Sequence, residues 1–374
     1  MGYRVHLLTT VHPPFDTRIF HKQAKTLVRA GYDVTLIAQH ERDEVVDGVK
    51  IIALPRPRNR LARMFNLTWK AFRLARRERA DVYHFHDPEL LPWARLLGLV
   101  TRAKVIYDVH EDVPQDVLTK GWIPAFCRGG TAAVVDILER RLASGCDAIV
   151  TATEAISRRF AKERTAVIHN YPDLEAFPKP ASKTRPNGES LLVYVGAITR
   201  ERGAREMIEA MALLSRRLKV RLELYGRFLP PELETCLLQS TARARIVPAG
   251  WQPWRVAWAR AQDADAALLL FHPGPNHTEA LPTKLFEYMA AGLPVVASRF
   301  PLWERIITEC QCGLTVDPLS PREIAEAVGH LVAHPEEAQR MGRNGREAVQ
   351  QRYNWETEAK KLLDLYSRLL GGET

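Results

Sequence analysis

Four residues in one stretch carry chemistry that packing alone does not require. They are Glu279, Thr283, Lys284 and Glu287, within HPGPNHTEALPTKLFEYMAAGLPVVAS, residues 272–298. A helix that starts at Pro282-Thr283 leaves its first backbone N–H groups free and its end partly positive, a natural seat for phosphate. Lys284 in the first turn adds a full charge. Glu287 lies three residues on, on the same helical face, where a carboxylate can grip the vicinal hydroxyls of a ribose. Glu279, in the loop ahead, reaches a second hydroxylated group beyond the phosphates. Acid, cation and acid along one line fit a sugar–diphosphate–nucleoside laid across the helix start.

The elements that must position these groups are legible around them. Ala266 to Phe271 is an apolar run that reads as a buried strand. The helix then runs through about Ala291, with Leu285, Phe286, Met289 and Ala290 packed inward, and Gly292 ends it before a strand at Leu293–Ala297. Proline at the start and glycine just past the end are the expected punctuation. Upstream, strand Leu191–Val195 leads into GAITRERGAREMIEAM, where Gly196 and Gly203 bracket a second phosphate-friendly loop before a helix. Strand Arg221–Tyr225 with Gly226, strand Arg245–Val247 and GWQP at 250–253 follow. Asp263-Ala264-Asp265 matches a D-x-D metal pattern but runs into a buried strand, so it reads as a helix end and strand start.

The first half alternates short apolar strands (Arg4–Leu8, Asp33–Ala38, Lys50–Leu54, Val82–His86, Lys104–Val109, Ala148–Ala152, Ala166–His169) with helices, among them Phe20–Ala30 and Ile137–Ser144. That alternation marks a parallel sheet covered on both faces, and such sheets bind ligands at the carboxyl ends of their strands. Three polar loops fall there. TTVHPPFDTRIFH, residues 9–21, has no G-x-G-x-x-G, which argues against a nicotinamide enzyme. Its Asp16 and Arg18 are read as polar groups aimed at an acceptor, or as a local ion pair. HFHDPELLP, residues 84–92, offers His84 and His86, read as pointing to opposite faces of their strand and so not sharing a metal, while Asp87 and Glu89 are expected to cap the next helix. YDVHEDVPQD, residues 107–116, offers His110 among Asp108, Glu111 and Asp112, which could tune its protonation.

With Glu279 and Glu287 separated by seven residues, EALPTKLFEYMAAGLPVVAS resembles the donor-site signature of family 4 retaining glycosyltransferases. The resemblance covers nearly the whole chain. It implies an α/β fold of two Rossmann-like domains facing across a deep cleft (the GT-B architecture), with the last helix crossing back to the first domain. The domains would be 1–172, acceptor-side, joined by 353–374, and 173–352, donor-binding, with the Pro- and Lys-rich stretch 170–190 as linker. It implies a sugar moved from a nucleotide-sugar donor, UDP-sugar favoured, to an acceptor hydroxyl with retention, in polysaccharide or glycolipid assembly. His110 is similar by position to the histidine beside the reacting sugar; Glu279 would hold the sugar, and Arg202 with Lys284 would clamp the diphosphate. Gly196, Arg227, Gly250, Leu281, Pro282, Thr283 and Glu287 would line the donor site, with Asp16, Arg18 and Glu111 on the acceptor side. In relatives an Arg follows the first glycine of the second loop and a Lys precedes the next. Here those positions are Ala197 and Arg202, and Arg200 is the candidate to compensate. The nucleotide-sugar is a substrate, and no cofactor or metal is expected. The alternatives are a nucleotide-sugar epimerase on the same scaffold and a non-catalytic basic module for membranes or polyanions.

A chain of 374 residues with 46 % hydrophobic and 26 % charged residues has the length and composition of two ordinary globular domains. No apolar run is long enough to span a bilayer, and MGYRVHLLTT reads as a first strand rather than a signal peptide. A cytoplasmic protein is expected, placed at the inner face of the membrane. Five scattered cysteines form no C-x-x-C pair and read as free thiols. The net charge of +9 is concentrated in residues 56–79, where nine Arg or Lys oppose one Glu and Leu61, Phe65, Trp69 and Phe72 recur at helical spacing. That pattern predicts peripheral contact with an anionic membrane and fits a lipid-linked glycan acceptor, or else a solvated helix covering the sheet. No nucleic-acid motif accompanies it.

Overall fold

A computed structural model describes residues 2–121, 123–177, 188–215, 217–274 and 276–371. The chain divides into two units, Met1–Asn170 with Trp355–Thr374, and Tyr171–Asn354. The linker expected at 170–190 lies in part outside the described residues.

In the first unit the strands are β1 (Arg4–Leu8), β2 (Asp33–Gln39), β3 (Glu44–Val46), β4 (Val49–Leu54), β5 (Val82–Phe85), β6 (Lys104–Val109), β7 (Ala148–Thr151) and β8 (Thr165–Val167). They form one sheet in the order β3-β4-β2-β1-β5-β6-β7-β8, parallel except for β3, which turns back on β4. β1, β2, β5 and β6 are buried over nearly their whole length, as strands covered on both faces must be. Because β1, β5 and β6 are neighbours, their three carboxyl-end loops are brought side by side.

The chain returns to this unit as helix Trp355–Leu370. Its Leu362, Leu365 and Tyr366 join Val5, Leu7, Val34 and Leu36 in one buried cluster, and Trp355 Nε1 donates to Thr26 Oγ1 at 2.9 Å. The expected return of the last helix to the first domain is what the chain does. Glu358 adds a polar link, accepting from the His169 backbone at 2.8 Å.

The basic segment is helical over Arg60–Glu78, with wider π-type turns at Arg63–Leu67. Those turns add a residue and rotate the later part of the helix. Phe72 is buried, while Leu61 and Phe65 are each 66 % exposed and Trp69 is 45 % exposed. The four apolar residues that share helical spacing therefore do not share one packed face.

In the second unit the strands are β9 (Ser190–Val195), β10 (Ile198–Thr199), β11 (Val220–Tyr225), β12 (Phe228–Leu229), β13 (Ile246–Gly250), β14 (Ala266–Leu269), β15 (Val295–Ser298) and β16 (Gly313–Val316). Six make an all-parallel sheet in the order β13-β11-β9-β14-β15-β16, and β10 pairs with β12 beside it. The sequence order reverses between β9 and β14, the switch point at which such sheets open a crevice. Asp265 accepts from Leu191 N at 2.8 Å, so this end of the D-x-D ties β14 to β9.

Candidate functional site

Helix Thr283–Ala290 begins just past β14, and Gly292 ends it at φ +72°, a conformation glycine adopts without strain. Leu285, Phe286, Tyr288 and Met289 bury its inner face. Lys284 turns toward the β9 loop, where Nζ donates to Tyr194 Oη at 3.2 Å and lies 4.8 Å and 5.5 Å from the ring centroids of Tyr194 and Phe271. Gly196, at φ +135°, makes the notch that admits it: a Cβ there would collide with the Lys284 ammonium. Arg202 lies by the same Phe271 ring, 5.4 Å from its centroid. Gly203, at φ +69°, caps the turn that carries Arg202, and a side chain there would strike Leu270.

Two cations thus share one aromatic wall, and among the described residues no carboxylate lies within ion-pair distance of Lys284. Burial, reinforced by Arg202 and opposed by the more distant Glu287, pulls the Lys284 ammonium down to about 7. Glu287 is 9 % exposed and accepts from Trp254 Nε1 at 3.1 Å, which aims its carboxylate. Glu279 is exposed, in a loop anchored just beyond it where Trp303 Nε1 donates to Ala280 O at 2.7 Å. Leu281, Pro282 and Thr283 are half-buried between loop and helix. Arg227 lies 6.0 Å from the Trp251 centroid, beside a cavity of about 270 Å³ lined by Gly226, Arg227, Phe228, Pro231, Pro248 and Gly250. Arg200 is exposed at the start of its turn.

In the first unit the three loops converge on Asp108, which is wholly buried. Arg18 donates to it through Nε at 3.1 Å and Nη2 at 2.9 Å, and Gln23 donates at 2.5 Å. His84, His86 and His110 stand 3.6, 3.7 and 3.5 Å away. Burial alone would raise the Asp108 carboxyl, but Arg18 and His110 outweigh it and hold it well below the usual range. Burial lowers His84, and His86 further still. His110 is half-buried, with Nε2 3.1 Å from His86 Nδ1.

Several expectations are corrected here. His84 and His86 do not face opposite ways: their rings stack at 4.7 Å, because residues two apart on a pleated strand share a face. Arg18 does not face an acceptor. Its guanidinium is spent on Asp108 and on Ile168 O at 2.9 Å, behind the loop surface. Asp16 does not pair with Arg18's side chain but caps the helix at Thr17 through the N–H groups of Arg18 and Ile19. Asp87 makes no side-chain cap either: its Oδ2 binds Thr9 Oγ1 and the backbone and hydroxyl of Thr10, while Glu89 meets Thr10 and Arg63. Asp112 caps the helix starting at Val113 and Glu111 is exposed.

His84, His86 and Asp108 have the donor types and proximity of a metal site. The charge count opposes one: Asp108 is already neutralised by buried Arg18, and a divalent ion would add two uncompensated charges. Sequence reading named His86 but misjudged the way it faces, and it missed Gln23, Tyr194, Phe271 and Trp254. Only the placement of Tyr194 and Phe271 beside the two phosphate-friendly loops hinted at them.

Two Rossmann-like units, one with cations gathered at a helix start and the other with a histidine at a strand end, define the class: an α/β protein of two parallel-sheet units. Residues 177–348 match the model for glycosyl transferases group 1, and residues 17–170 match the glycosyl transferase 4-like domain. The chain belongs to the group 1 glycosyltransferases and is an enzyme of that type. The glycogen synthase of Mycobacterium tuberculosis is 24 % identical over 99 % of this chain and 96 % of its own. The D-inositol 3-phosphate glycosyltransferase of Corynebacterium urealyticum is 24 % identical over 62 % of this chain and 59 % of its own. Among solved structures, sucrose-phosphate synthase from Thermosynechococcus elongatus aligns over 99 % of both chains with TM-score 0.80 at 20 % identity. Anabaena HepE in complex with UDP aligns over 98 % of this chain and 100 % of its own with TM-score 0.71 at 15 % identity. At these identities the likeness shows the fold, the GT-B architecture.

Proposed function

We propose that this glycosyltransferase takes its sugar from a nucleoside diphosphate donor, a UDP-sugar favoured, and passes it to an acceptor hydroxyl with retention. The observation that carries this reading is Lys284, a half-buried cation with no counter-anion among the described residues, beside Arg202 at a helix start. A diphosphate supplies the missing charge. As the sugar–phosphate bond breaks, charge grows on the leaving phosphate, and Lys284, Arg202 and the free amides at Thr283 stabilise it more than they stabilise the ground state. Glu287, aimed by Trp254, takes the ribose hydroxyls; Glu279 takes the sugar; the cavity beside Arg227 and Gly250 takes the base. His110 serves the donor sugar, and Gly196, Leu281 and Pro282 shape the donor's bed. Arg200 completes the cationic loop, and Asp16 and Glu111 lie on the acceptor side. No metal is needed for the leaving group, since the two cations carry its charge. HepE, a structural neighbour, was solved with UDP and with UDP-glucose, which supports UDP as the nucleotide.

The acceptor is a lipid-linked glycan, with the enzyme resting on an anionic membrane surface and working in surface-polysaccharide assembly. The exposed Leu61, Phe65 and Trp69 amid nine basic residues support this. No helix among the described residues is long and apolar enough to cross a membrane, so the contact is peripheral.

A panel of UDP-, GDP- and ADP-sugars tests the reading by thermal shift, because a ligand of the folded state raises its melting point. UDP-sugars are expected to give the largest rise. Lys284→Ala and Glu279→Ala are each expected to lower turnover at least about tenfold with the fold intact. Wild-type rates in both variants would sink the site assignment.

A further inference from the structure

We infer that His86 is a positioning residue that holds His110 in a single tautomer, with Nδ1 protonated and Nε2 bare, so that the His110 ring offers a ligand an N–H donor. The inference deepens the proposed function, since it rests on His110 serving the donor sugar. Its starting point is the 3.1 Å separation between His86 Nδ1 and His110 Nε2. One proton must lie between those two nitrogens for the contact to be a hydrogen bond.

His86 decides which ring owns that proton. Burial favours its neutral form, and a neutral imidazole has one N–H. Its Nε2 is buried and, among the described residues, has no hydrogen-bond partner. A proton on Nε2 would therefore be a buried donor without an acceptor, the costlier kind of orphan. A proton on Nδ1 finds His110 Nε2 as acceptor, whereas Asp108, 3.7 Å from His86 Nδ1 and 3.5 Å from His110 Nε2, attracts the shared proton without choosing its owner. The proton belongs on His86 Nδ1, and His110 must accept at Nε2 and carry its own proton on Nδ1.

The surroundings hold this arrangement from behind. His84 stacks on His86, and its Nδ1 lies 2.9 Å from Tyr366 Oη, which sets the plane of the stack. Asp108 is immobilised by Arg18 and Gln23. His86 does not touch the ligand in this account; it acts through His110.

The test reads the tautomer directly. Long-range proton–nitrogen spectra of protein labelled with nitrogen-15 histidine, assigned with His110→Gln, should show His110 protonated at Nδ1. In His86→Leu the bias is gone, and the His110 proton should move to Nε2, the form neutral histidine prefers in water. Turnover should fall on the order of tenfold with little change in donor KM. His86→Asn, whose amide can donate from the same place, should restore both the tautomer and most of the turnover, a rescue that packing alone does not explain. A wild-type His110 protonated at Nε2 overturns the inference, as does an Nδ1 tautomer that persists in folded His86→Leu. The wild-type spectrum needs no substitution, so a Leu variant that fails to fold leaves the test standing. If His110→Ala keeps wild-type turnover while the tautomers are as stated, the sugar-contact reading fails and the effect of His86 on the tautomer survives.

Discussion

Lys284 shows how much a single residue's meaning depends on what surrounds it. In the sequence it is a cation in the first turn of a helix. In the structure it sits in an aromatic corner opened by Gly196, and burial brings its ammonium down to about 7. A depressed lysine is largely neutral about one pH unit above that value, and an arriving diphosphate favours the charged form again. At about pH 8, donor binding should therefore take up close to one proton per site. Calorimetry in two buffers of different ionisation heat measures it. The uptake should vanish in Lys284→Met, and its absence in the wild type would mean that the diphosphate does not meet this ammonium. Glu287 and Lys284 were legible as chemistry from their spacing on one helix. Tyr194, Phe271 and Trp254, which orient them, were not, because aromatic residues at a strand end or a helix start look like core in any sequence.

At the scale of elements, the last helix is held by apolar packing and by one titrating junction. His169 Nε2 lies 3.1 Å from Glu154, and its Nδ1 lies 3.5 Å from Glu358. Burial favours the neutral ring, but Glu154 and Glu358 outweigh it and raise the His169 pKa, while Glu154 is lowered to about 2 and Glu358 is also lowered. A histidine raised in the folded state contributes stability that is complete below its unfolded pKa and fades as pH rises through the folded one. The carboxylates contribute above their unfolded range and lose it as pH falls. The junction should thus be strongest from about pH 5 to about pH 6.5. The melting-temperature difference between wild type and His169→Asn should be largest there and shrink by about pH 8.5. A difference that does not change with pH would show that His169 carries no charge in this junction. The return of the last helix, Trp355–Leu370, to the first domain was expected from the family resemblance. The helix spanning Ala125–Ala143 was seen only from Ile137 on, because its first half, with Gly129 and Gly130, has weak helical signals.

For the whole molecule, the excess of positive charge gains a location. Leu61, Met64, Phe65 and Trp69 are exposed on the basic helix, and the Trp69 ring meets Trp93 at 5.0 Å on the next helix, where Leu96, Leu99 and Val100 are exposed too. Apolar side chains ringed by arginines suit the boundary between headgroups and acyl chains. Binding to vesicles containing anionic lipid should weaken by roughly tenfold or more as salt is raised to a few tenths molar, since screening shortens the reach of each charge. Leu61→Ser with Phe65→Ser, the two most exposed apolar residues of the helix, should weaken it further without lowering the melting temperature. Equal affinity for neutral and anionic vesicles would remove the electrostatic part of the idea.

The sequence by itself determined the alternation of strands and helices, the two parallel sheets and the helix start at Thr283–Lys284 that we propose as a phosphate seat. All of these follow from local periodicity and from residues close together in the chain. Tertiary structure alone decided which side chains meet across the loops. It placed Arg18 on Asp108 rather than at the surface, stacked His84 on His86, and set His86 against His110. It also turned Phe65 and Trp69 outward through a π-type turn. Such partners come from strands far apart in sequence, and their meeting depends on sheet order and helix register, which no local spacing records.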